Sequence, residues 1–388
     1  MHPAELLIKI KMENLYMKRN QKLIRYAVVG LGHIAQSAVL PSFRHAIKNS
    51  KLVALVSDDS EKLKELSKRY KTEINCHYDE YHKLLRSGEI DAVYISTPNS
   101  LHYAFASLAA KEGIHVLCEK PLTADLRTAF ELQEIVRRSR IKFMTAYRLH
   151  FDAANLDAIK MAHSSKFGTI RAFNSVFTMQ VRDRDNIRLK TKYGGGPLLD
   201  LGVYCINAAR YLFRDEPYEV FGTRVNNTDE RFTEVDEMLS VVLKFPQDRL
   251  ASFICSFGAS DCSEYKVVGT SASLSLENAF DYALPMKLSF TKDEKTSVKK
   301  YSKHDQFGAE LIYFSECILK NTEPEPSLKE GLIDLQIIRA IERSCDLGEV
   351  VPVSTEAKAE RPESSQRISK PGISKPNTVN VVSPSLES

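Results

Sequence analysis

The sequence predicts an α/β protein with an N-terminal Rossmann doubly wound parallel sheet and a C-terminal α/β domain with a large, mostly antiparallel open sheet. Three observations predict this fold. The chain has 388 residues, and at roughly 100–200 residues per domain that length suggests about two domains. Up to about residue 147, short apolar strands alternate with helical segments, as in parallel βαβ units. After about residue 154, longer strands of alternating polarity follow one another, as in antiparallel sheets.

The first half of the chain contains five short runs of β-branched or apolar residues. They predict strands at 23–29, 52–57, 92–96, 115–118 and 142–147. Helical patterns fill the intervals between them, at 34–40, 61–70, 101–111 and 123–140. Right-handed crossovers then place the helices on both faces of one parallel sheet. We assign residues 23–150 to this domain and residues 1–22 to a loosely structured N-terminal extension.

The second half of the chain is richer in long strands. Alternating polarity predicts them at 170–181, 237–245, 250–257, 265–269 and 272–276. Two helices, at 306–319 and 327–346, are expected to pack near the first domain. We assign residues 151–353 to the second domain. Residues 354–388 are rich in Ser, Pro, Lys and Glu and lack an apolar period, so we expect a disordered tail.

Composition and charge exclude several classes of protein. The formal net charge is +4, from 54 basic and 50 acidic residues, and this balance argues against nucleic acid as a partner. No stretch reaches about 18 uninterrupted apolar residues, so we expect no membrane span. The seven cysteines are scattered and form no C-x-x-C pair, which fits reduced thiols in a cytoplasmic protein. We expect no metal site, because the spacing of Cys76, His77 and His82 fits no zinc pattern.

A glycine-rich turn follows the first strand and opens a helix. The segment VVGLGHIAQ, residues 28–36, matches the dinucleotide-binding pattern G-x-G-x-x-A in the required context. Gly30 allows the tight turn, Gly32 lets the backbone approach a pyrophosphate, and Ala35 allows close packing of the helix. The alternative is a glycine turn without a ligand. The cofactor contacts predicted from this turn are Gly30, Gly32, His33 and Ile34.

The end of the second strand indicates which dinucleotide is bound. NAD-binding domains usually place Asp or Glu there to hold the ribose diol, whereas this chain has Ser57. A serine can donate to a 2′-phosphate, and Lys62 in the next helix can supply the opposing charge. We therefore predict NADP, with NAD as the alternative. Asp58 and Asp59 oppose this unless they point to solvent, and Lys62 could equally be a solvated helix lysine.

Polar residues also follow the third and fourth strands. Because ligands of open α/β sheets bind at the carboxyl ends of the strands, we expect these residues to line the same rim. The alternatives are an edge ion pair for the Glu-Lys dipeptide and a solvent-exposed helix residue for the histidine. The residues predicted to contact the cofactor there are Thr97, Pro98, Asn99, His102, Glu119 and Lys120.

Five segments resemble the Gfo/Idh/MocA oxidoreductases, and within them the glucose–fructose oxidoreductase-like members. They read GLGHIAQ, STPNSLH, CEKPL, AYRLHF and GGGPLLDLGVYCINAARYL, and the likeness runs from about residue 25 to about residue 353. The resemblance implies a Rossmann domain, a substrate-binding and oligomerisation domain, and a homodimer or homotetramer formed through the C-terminal sheet. It implies NADP-dependent hydride transfer between nicotinamide and a sugar or sugar-like polyol or ketone. The alternatives are a dicarbonyl or anhydro-sugar reductase, a trans-dihydrodiol-type dehydrogenase, and a non-catalytic NADP-sensing regulator.

The resemblance also implies catalytic roles for three residues. Lys120 corresponds to the lysine of the E-K-P motif, between the nicotinamide and the substrate hydroxyl. Asp200 and Tyr204 correspond to the D-x-G-x-H/Y segment, in which tyrosine is the form seen in glucose–fructose oxidoreductase-like members. Asn207 again resembles that branch, whereas Asp58 departs from its common glycine.

These residue types suit hydride transfer. Oxidation of a hydroxyl requires a proton acceptor, and a nearby lysine cation favours the phenolate form of a tyrosine. The alternative for Tyr204 is a core aromatic, and for Asp200 it is a helix N-cap. Arg148 and His150 follow the last strand of the first domain and are predicted to contact the sugar, with Arg148 also contacting the cofactor. Their alternative is polar packing between the domains.

Overall fold

The computed structural model describes residues 22–226, 229–356, 358, 360–381 and 383. The predicted N-terminal extension therefore lies outside the described residues, apart from Lys22. Two β-sheets, one of six strands and one of nine, form the framework. This architecture confirms the predicted α/β fold class. Among the described helices, none combines the length and apolar character needed to cross a membrane.

The six-stranded sheet is parallel throughout, and its strand order β3-β2-β1-β4-β5-β6 is that of a Rossmann domain. Its strands are β1 (Ile24–Val29), β2 (Ser50–Val56), β3 (Ile74–Cys76), β4 (Ala92–Ile95), β5 (His115–Glu119) and β6 (Phe143–Ala146). The helices between them are α1 (Leu40–Ala46, preceded by a π-helical turn at Ala35–Val39), α2 (Ser60–Tyr70), α3 (Tyr81–Arg86), α4 (His102–Lys111) and α5 (Leu126–Ser139).

The nine-stranded sheet is antiparallel except where β7 runs parallel to β10. Its strands are β7 (Ile170–Thr178), β8 (Glu219–Val225), β9 (Met238–Phe245), β10 (Arg249–Ser256), β11 (Cys262–Gly269), β12 (Ser273–Glu277), β13 (Met286–Lys292), β14 (Lys295–Tyr301) and β15 (Val351–Pro352). Their order is β14-β13-β12-β11-β7-β10-β9-β8-β15. Along β9 and β10, buried residues alternate with more exposed ones. Since successive side chains of a strand point to opposite faces, one face of this sheet is covered by helices and the other is not.

Four helices accompany the second sheet. They are α6 (Ala153–Ala162), α7 (Val203–Phe213, preceded by a π-helical turn at Leu198–Gly202), α8 (Gln306–Lys320) and α9 (Leu328–Leu347). Asp305 begins α8 by accepting hydrogen bonds from two backbone amides of the first turn. Helix α8 then lies against the first sheet, where the hydroxyls of Tyr26 and Ser315 are 2.8 Å apart. Consequently a helix of the second domain packs directly against the first domain.

Strand β1 lies inside the parallel sheet, between β2 and β4. Its alternate residues belong to two apolar clusters, with Ala27 and Val29 in one and Tyr26 and Val28 in the other. The second cluster also contains apolar side chains from α8. Because α8 covers one face of the Rossmann sheet, the second domain contributes directly to the stability of the first.

The C-terminal tail differs from the predicted disorder. Its described residues make backbone and side-chain hydrogen bonds to both domains. Lys358 and Arg361 are buried and paired with carboxylates. The composition rule behind the prediction counts apolar burial, whereas this tail is held chiefly by paired charges and polar contacts.

Candidate active site

Lys120 lies immediately after β5, at the carboxyl end of the parallel sheet. Its ammonium Nζ donates to the Asp200 carboxylate oxygen Oδ1 at 2.7 Å and to the Asp200 backbone carbonyl at 2.8 Å. The side chain is 9% exposed. Burial alone would lower the pKa of Lys120, but the neighbouring Asp200 and Tyr204 raise it above its usual value. Lys120 is therefore a buried cation held in place by a residue of the second domain.

Asp200 lies within the π-helical turn that precedes α7, so it is not the helix N-cap that its sequence position allows. Its second oxygen, Oδ2, accepts a hydrogen bond from Arg188 Nε at 2.7 Å. Burial alone would raise the pKa of Asp200, but Lys120 and Arg188 hold it well below its usual range. The carboxylate is therefore ionised and bridges two cations.

Tyr204 follows Asp200 by one helical turn and faces the same region. Lys120 Nζ is 4.7 Å from the centre of its ring, and the guanidinium carbon of Arg148 is 5.1 Å from it. Aromatic contacts to Phe177 and Phe280 hold the ring in place. Two cations therefore lie beside the aromatic ring of Tyr204.

Arg148 is buried beside Tyr204 and is held by the second domain. Its guanidinium donates to the backbone carbonyl of Phe280 at 2.6 Å and to the side chain of Gln306. Burial alone would lower the pKa of Arg148, but Tyr204 and nearby carboxylates raise it. The predicted site residue Arg148 therefore lies with Lys120 and Tyr204.

Glu119 hydrogen-bonds to a residue of the neighbouring strand β4 rather than to its chain neighbour Lys120. Its carboxylate accepts a hydrogen bond from the Tyr94 hydroxyl at 2.8 Å. Burial raises the pKa of Glu119, and burial with the nearby Glu119 charge raises that of Glu310 well above its usual value. The structure thus does not form the Glu119–Lys120 edge pair that the sequence allows.

His150 lies in a different environment from Arg148. Its ring is fully buried, with Nε2 2.8 Å from Asn207 Oδ1 and Nδ1 3.0 Å from Glu325 Oε2. The ring also stacks on Tyr147. Because both ring nitrogens bind protein groups, the geometry differs from the predicted substrate contact and favours the alternative of polar packing between domains.

The glycine-rich turn has the shape that a dinucleotide requires. Gly30 has φ +88°, and a Cβ there would lie 2.7 Å from the backbone nitrogen of Thr97. A Cβ on Gly32 would meet nothing within 4 Å, so the chain leaves open the space where a pyrophosphate would approach. Thr97 Oγ1 is buried and has no hydrogen-bond partner among the described residues. Both observations fit a bound dinucleotide, with His33 and Ile34 part-exposed in the same turn.

The segment after β4 connects this turn to the Lys120 loop. His102 is buried, with Nδ1 2.8 Å from the Pro121 carbonyl and Nε2 3.0 Å from the Thr97 carbonyl. Burial lowers the pKa of His102 to about 4, so the ring is neutral at pH 7. His102 is therefore not the solvent-exposed helix residue that its sequence position allows. Asn99, next to Pro98, donates to the Gly194 carbonyl at 2.8 Å and so contacts the glycine-rich segment of the second domain.

The residues that indicate the cofactor lie at the end of β2. Ser57 is buried and accepts a hydrogen bond from the Asp59 amide at 3.1 Å. Asp59 begins α2 by accepting from the amides of Glu61 and Lys62, each at 3.0 Å. Lys62 Nζ lies 3.7 Å from Asp59 Oδ2. Asp58 is exposed, whereas the Asp59 carboxylate is engaged by the first turn of α2 and by Lys62.

Three further residues of this site are not among the predicted ones. Arg188 belongs to a run of mixed charges that could line a substrate pocket but is more typical of a solvated loop, and the fold brings it to Asp200. Gln306 and Glu310 lie on α8, whose sequence position gives no sign of a contact with Arg148 or Tyr94. Only the packing of α8 on the first sheet identifies them.

Comparisons with known proteins agree with this fold. The profile of the oxidoreductase family with an NAD-binding Rossmann fold, GFO/IDH/MocA, matches residues 24–147. The profile of the GFO/IDH/MocA C-terminal domain matches residues 156–275. The chain belongs to the GFO/IDH/MocA family and is an oxidoreductase, as the sequence motifs predict.

Three relatives illustrate the similarity. An uncharacterised oxidoreductase of Rhizobium meliloti is 31% identical over 333 residues, covering 84% of this chain and 98% of its own. The D-xylose 1-dehydrogenase (NADP⁺) of Haloarcula marismortui is 30% identical over 325 residues, covering 82% and 90%. The crystal structure of aldose-aldose oxidoreductase from Caulobacter crescentus, complexed with glycerol, is 31% identical with a TM-score of 0.82, covering 86% of this chain and all of that one.

Proposed function

We propose that the protein is an NADP-dependent oxidoreductase that transfers a hydride between nicotinamide and a sugar or sugar-like polyol or ketone. The main support for this proposal is that Lys120, Asp200 and Tyr204 lie together at the carboxyl end of the parallel sheet. This cluster lies at the sheet edge where dinucleotide folds bind their ligands. The named activities of the D-xylose dehydrogenase and the aldose-aldose oxidoreductase support a sugar as substrate.

In this proposal, each residue of the site has a separate role. When bound, the cofactor would supply a hydride acceptor in its oxidised form, NADP⁺, or a hydride donor in its reduced form, NADPH. Tyr204 takes the proton of the substrate hydroxyl in oxidation and returns it in reduction. Lys120 stabilises the phenolate while the proton is away, and Asp200 holds Lys120 in position. Arg148 contributes a second positive charge beside the ring.

Cofactor choice is tested at Lys62. A charge-assisted contact to a phosphate contributes roughly 1.5–3 kcal/mol, or about 10–150-fold in affinity. We expect Lys62→Ala to weaken NADPH binding by about that factor and to leave NADH binding unchanged, as measured by fluorescence titration. Equal affinity of the parent protein for the two cofactors would count against NADP.

The substrate is tested with a panel under both redox forms of the cofactor. We expect turnover of an aldose or ketose, followed by absorbance at the reduced nicotinamide band. Anhydro sugars, dicarbonyl sugars and trans-dihydrodiols form the comparison arms. Turnover confined to one of those arms would replace the sugar assignment, and nucleotide binding without turnover of any arm would favour the NADP-sensing regulator.

The proposal includes an assembly and a location. The outer sheet face, the side of the nine-stranded sheet that its helices leave uncovered, carries the exposed apolar side chains of Phe221, Val242, Leu250, Ile254 and Val268. Such a patch favours a homodimer or homotetramer built on that face. The seven cysteines are all unpaired thiols, which supports a cytoplasmic location.

A further inference from the structure

The C-terminal segment, residues 353–383 as described, is anchored in the interior before it reaches the first domain. Lys358 Nζ lies 2.7 Å from a carboxylate oxygen of Glu325 and 2.7 Å from one of Glu330. Arg361 Nη2 lies 2.7 Å from a carboxylate oxygen of Glu216. The side chains of Lys358 and Arg361 are only 3% and 6% exposed. Because undocking would leave these buried carboxylates with fewer partners, the segment is a fixed part of the fold.

The segment then crosses the start of α8 and follows α2. The backbone amide of Asp305 donates to the Lys370 carbonyl at 3.0 Å. Farther along, Arg69 Nη1 donates to the Asn377 carbonyl at 2.6 Å. Arg69 lies near the C-terminal end of α2, whereas Asn380 contacts residues at its N-terminal end. Residues 377–380 therefore run along α2 toward the end of β2.

Gln36 clamps this segment to the dinucleotide turn. Its side-chain amide donates to the Val379 carbonyl at 2.9 Å and accepts from the Val379 amide at 2.7 Å. The same amide nitrogen donates to the Leu31 carbonyl at 2.8 Å. Gln36 is fully buried, so two of these three hydrogen bonds depend on the C-terminal segment. The turn that holds Gly30 and Gly32 is thus built partly by the far end of the chain.

Asn380 contacts the acidic residues beside the position of the adenosine ribose. Its side-chain nitrogen Nδ2 lies 2.8 Å from Glu61 Oε2 and 3.3 Å from Asp59 Oδ2. Asp59 also caps α2 and pairs with Lys62. Together these contacts fix the directions of both carboxylates and of the lysine next to Ser57.

We propose that Asn380 is a positioning residue of the cofactor site and that it sets the preference for NADP over NAD. A free carboxylate after β2 would accept hydrogen bonds from the ribose diol of NAD and repel a 2′-phosphate. Tied to Asn380, the carboxylates of Asp59 and Glu61 are kept from both roles, and Lys62 remains for the phosphate. This inference rests on the proposed NADP-dependent function.

The test compares NADPH and NADH affinities by fluorescence titration of the full chain. Asn380→Gly removes the amide and preserves the backbone, because φ at Asn380 is +50°. We expect the preference for NADPH to fall by about 3- to 10-fold, the range of one lost hydrogen bond, mainly through weaker NADPH binding. Asn380→Asp, which replaces the donor by a third carboxylate, is expected to lower it further.

Asn377→Ala is the matched control, since Asn377 is bound through its backbone carbonyl, and it is expected to keep the preference of the parent. If the parent prefers NADPH and both Asn380 variants keep that preference within twofold, the inference is wrong while the proposed function stands. Tighter NADPH binding in Asn380→Gly would also overturn it, because the segment would then obstruct the site. A parent without preference for NADPH would overturn the proposed cofactor as well.

Discussion

At the scale of single residues, Lys120 is the group around which the site is built. An ammonium has three hydrogens to donate, and two of them are directed at the carboxylate and the carbonyl of Asp200. Asp200 leaves the third hydrogen unused, and we predict that it donates to a substrate oxygen. A buried cation needs such pairing to stay charged, so Asp200 both keeps Lys120 ionised and aims it at the space beside Tyr204.

The proton-transfer role of Tyr204 predicts a specific pattern of kinetics. Tyr204→Phe retains the ring and its aromatic packing and removes only the hydroxyl. General acid–base catalysis contributes about 10²–10⁴-fold, so kcat on the substrate found in the panel should fall by that factor. NADPH affinity and melting temperature should stay at the parent values.

Lys120→Ala should reduce kcat comparably, and the double variant should lose less than the product of the two factors, because the residues act as a unit. Near-parent turnover of Tyr204→Phe would assign the proton to another group. The double variant is the internal control for this distinction, since fully multiplicative losses would mean that Lys120 acts independently of Tyr204.

The sequence motifs point to residues that the structure brings together, but they do not reveal the partners of those residues. The motif residues Lys120, Asp200 and Tyr204 lie together in the structure, and their catalytic roles stay predictions. Arg188 could be recognised from the sequence only as one of several arginines that could line the pocket, because a run of alternating charges normally faces solvent. His150 was grouped with Arg148 by chain proximity, yet the short helical turn that holds both directs them into different surroundings.

At the scale of elements, the glycine turn between β1 and the first helix has two glycines with different roles. Gly30→Ala should lower the free energy of unfolding by about 1–3 kcal/mol or more, because φ is +88° and a Cβ would strike the backbone of Thr97. Gly32→Ala should leave stability near the parent value, since a Cβ there meets no atom within 4 Å. It should nevertheless weaken NADPH binding, because the methyl group enters the pyrophosphate space.

Thermal unfolding and NADPH titration of this matched pair separate folding from binding. The roles assigned to the two glycines would be contradicted by a Gly32→Ala protein that binds NADPH like the parent. A Gly30→Ala protein as stable as the parent would contradict the backbone argument for that turn.

The start of α4 should respond to pH through His102. Burial lowers its pKa to about 4, whereas the unfolded chain has a value near 6.5. As pH falls from about 6.5 to about 4, the unfolded state takes up the proton first, so stability falls with pH across this window and levels off below it. Across the whole window, the free energy of unfolding falls by about 3 kcal/mol. Denaturant unfolding at pH 7.5 and 4.5 should therefore show a smaller pH effect in His102→Gln, and an equal effect in both proteins would contradict this role.

Strands were predictable where packing dictates their composition. β1, β4 and β5 are buried on both faces and were predicted to within one residue of their ends. β14 was missed, since six of its seven residues are exposed and an edge strand needs no apolar face. β3, with three residues, is too short to show any period.

At the scale of the whole molecule, the two domains and the C-terminal segment are joined by contacts between distant parts of the sequence. Arg210, for example, is fully buried and pairs with Glu216, Glu330 and Asp334. Local composition indicates a disordered tail because it cannot register the carboxylates that Lys358 and Arg361 meet, which lie 33 and 145 residues earlier in the chain. The same limit explains why the sequence suggested α8 near the first domain without identifying its contacts.

The outer sheet face makes it possible to test how copies of the chain assemble. Leu250 and Ile254 lie four residues apart on β10, so their side chains point to the same side of the sheet, where they are 49% and 37% exposed. If copies of the chain meet on this face, the double variant Leu250→Lys with Ile254→Lys places charges in the interface, where unpaired charge is costly. Light scattering at micromolar concentration should then show a dimer or tetramer for the parent and a monomer for the variant.

Leu108→Lys, at a 42% exposed position on α4, is the control and should keep the parent's mass. A parent that is monomeric, or a double variant that keeps the parent's mass, would show that this face remains open to solvent.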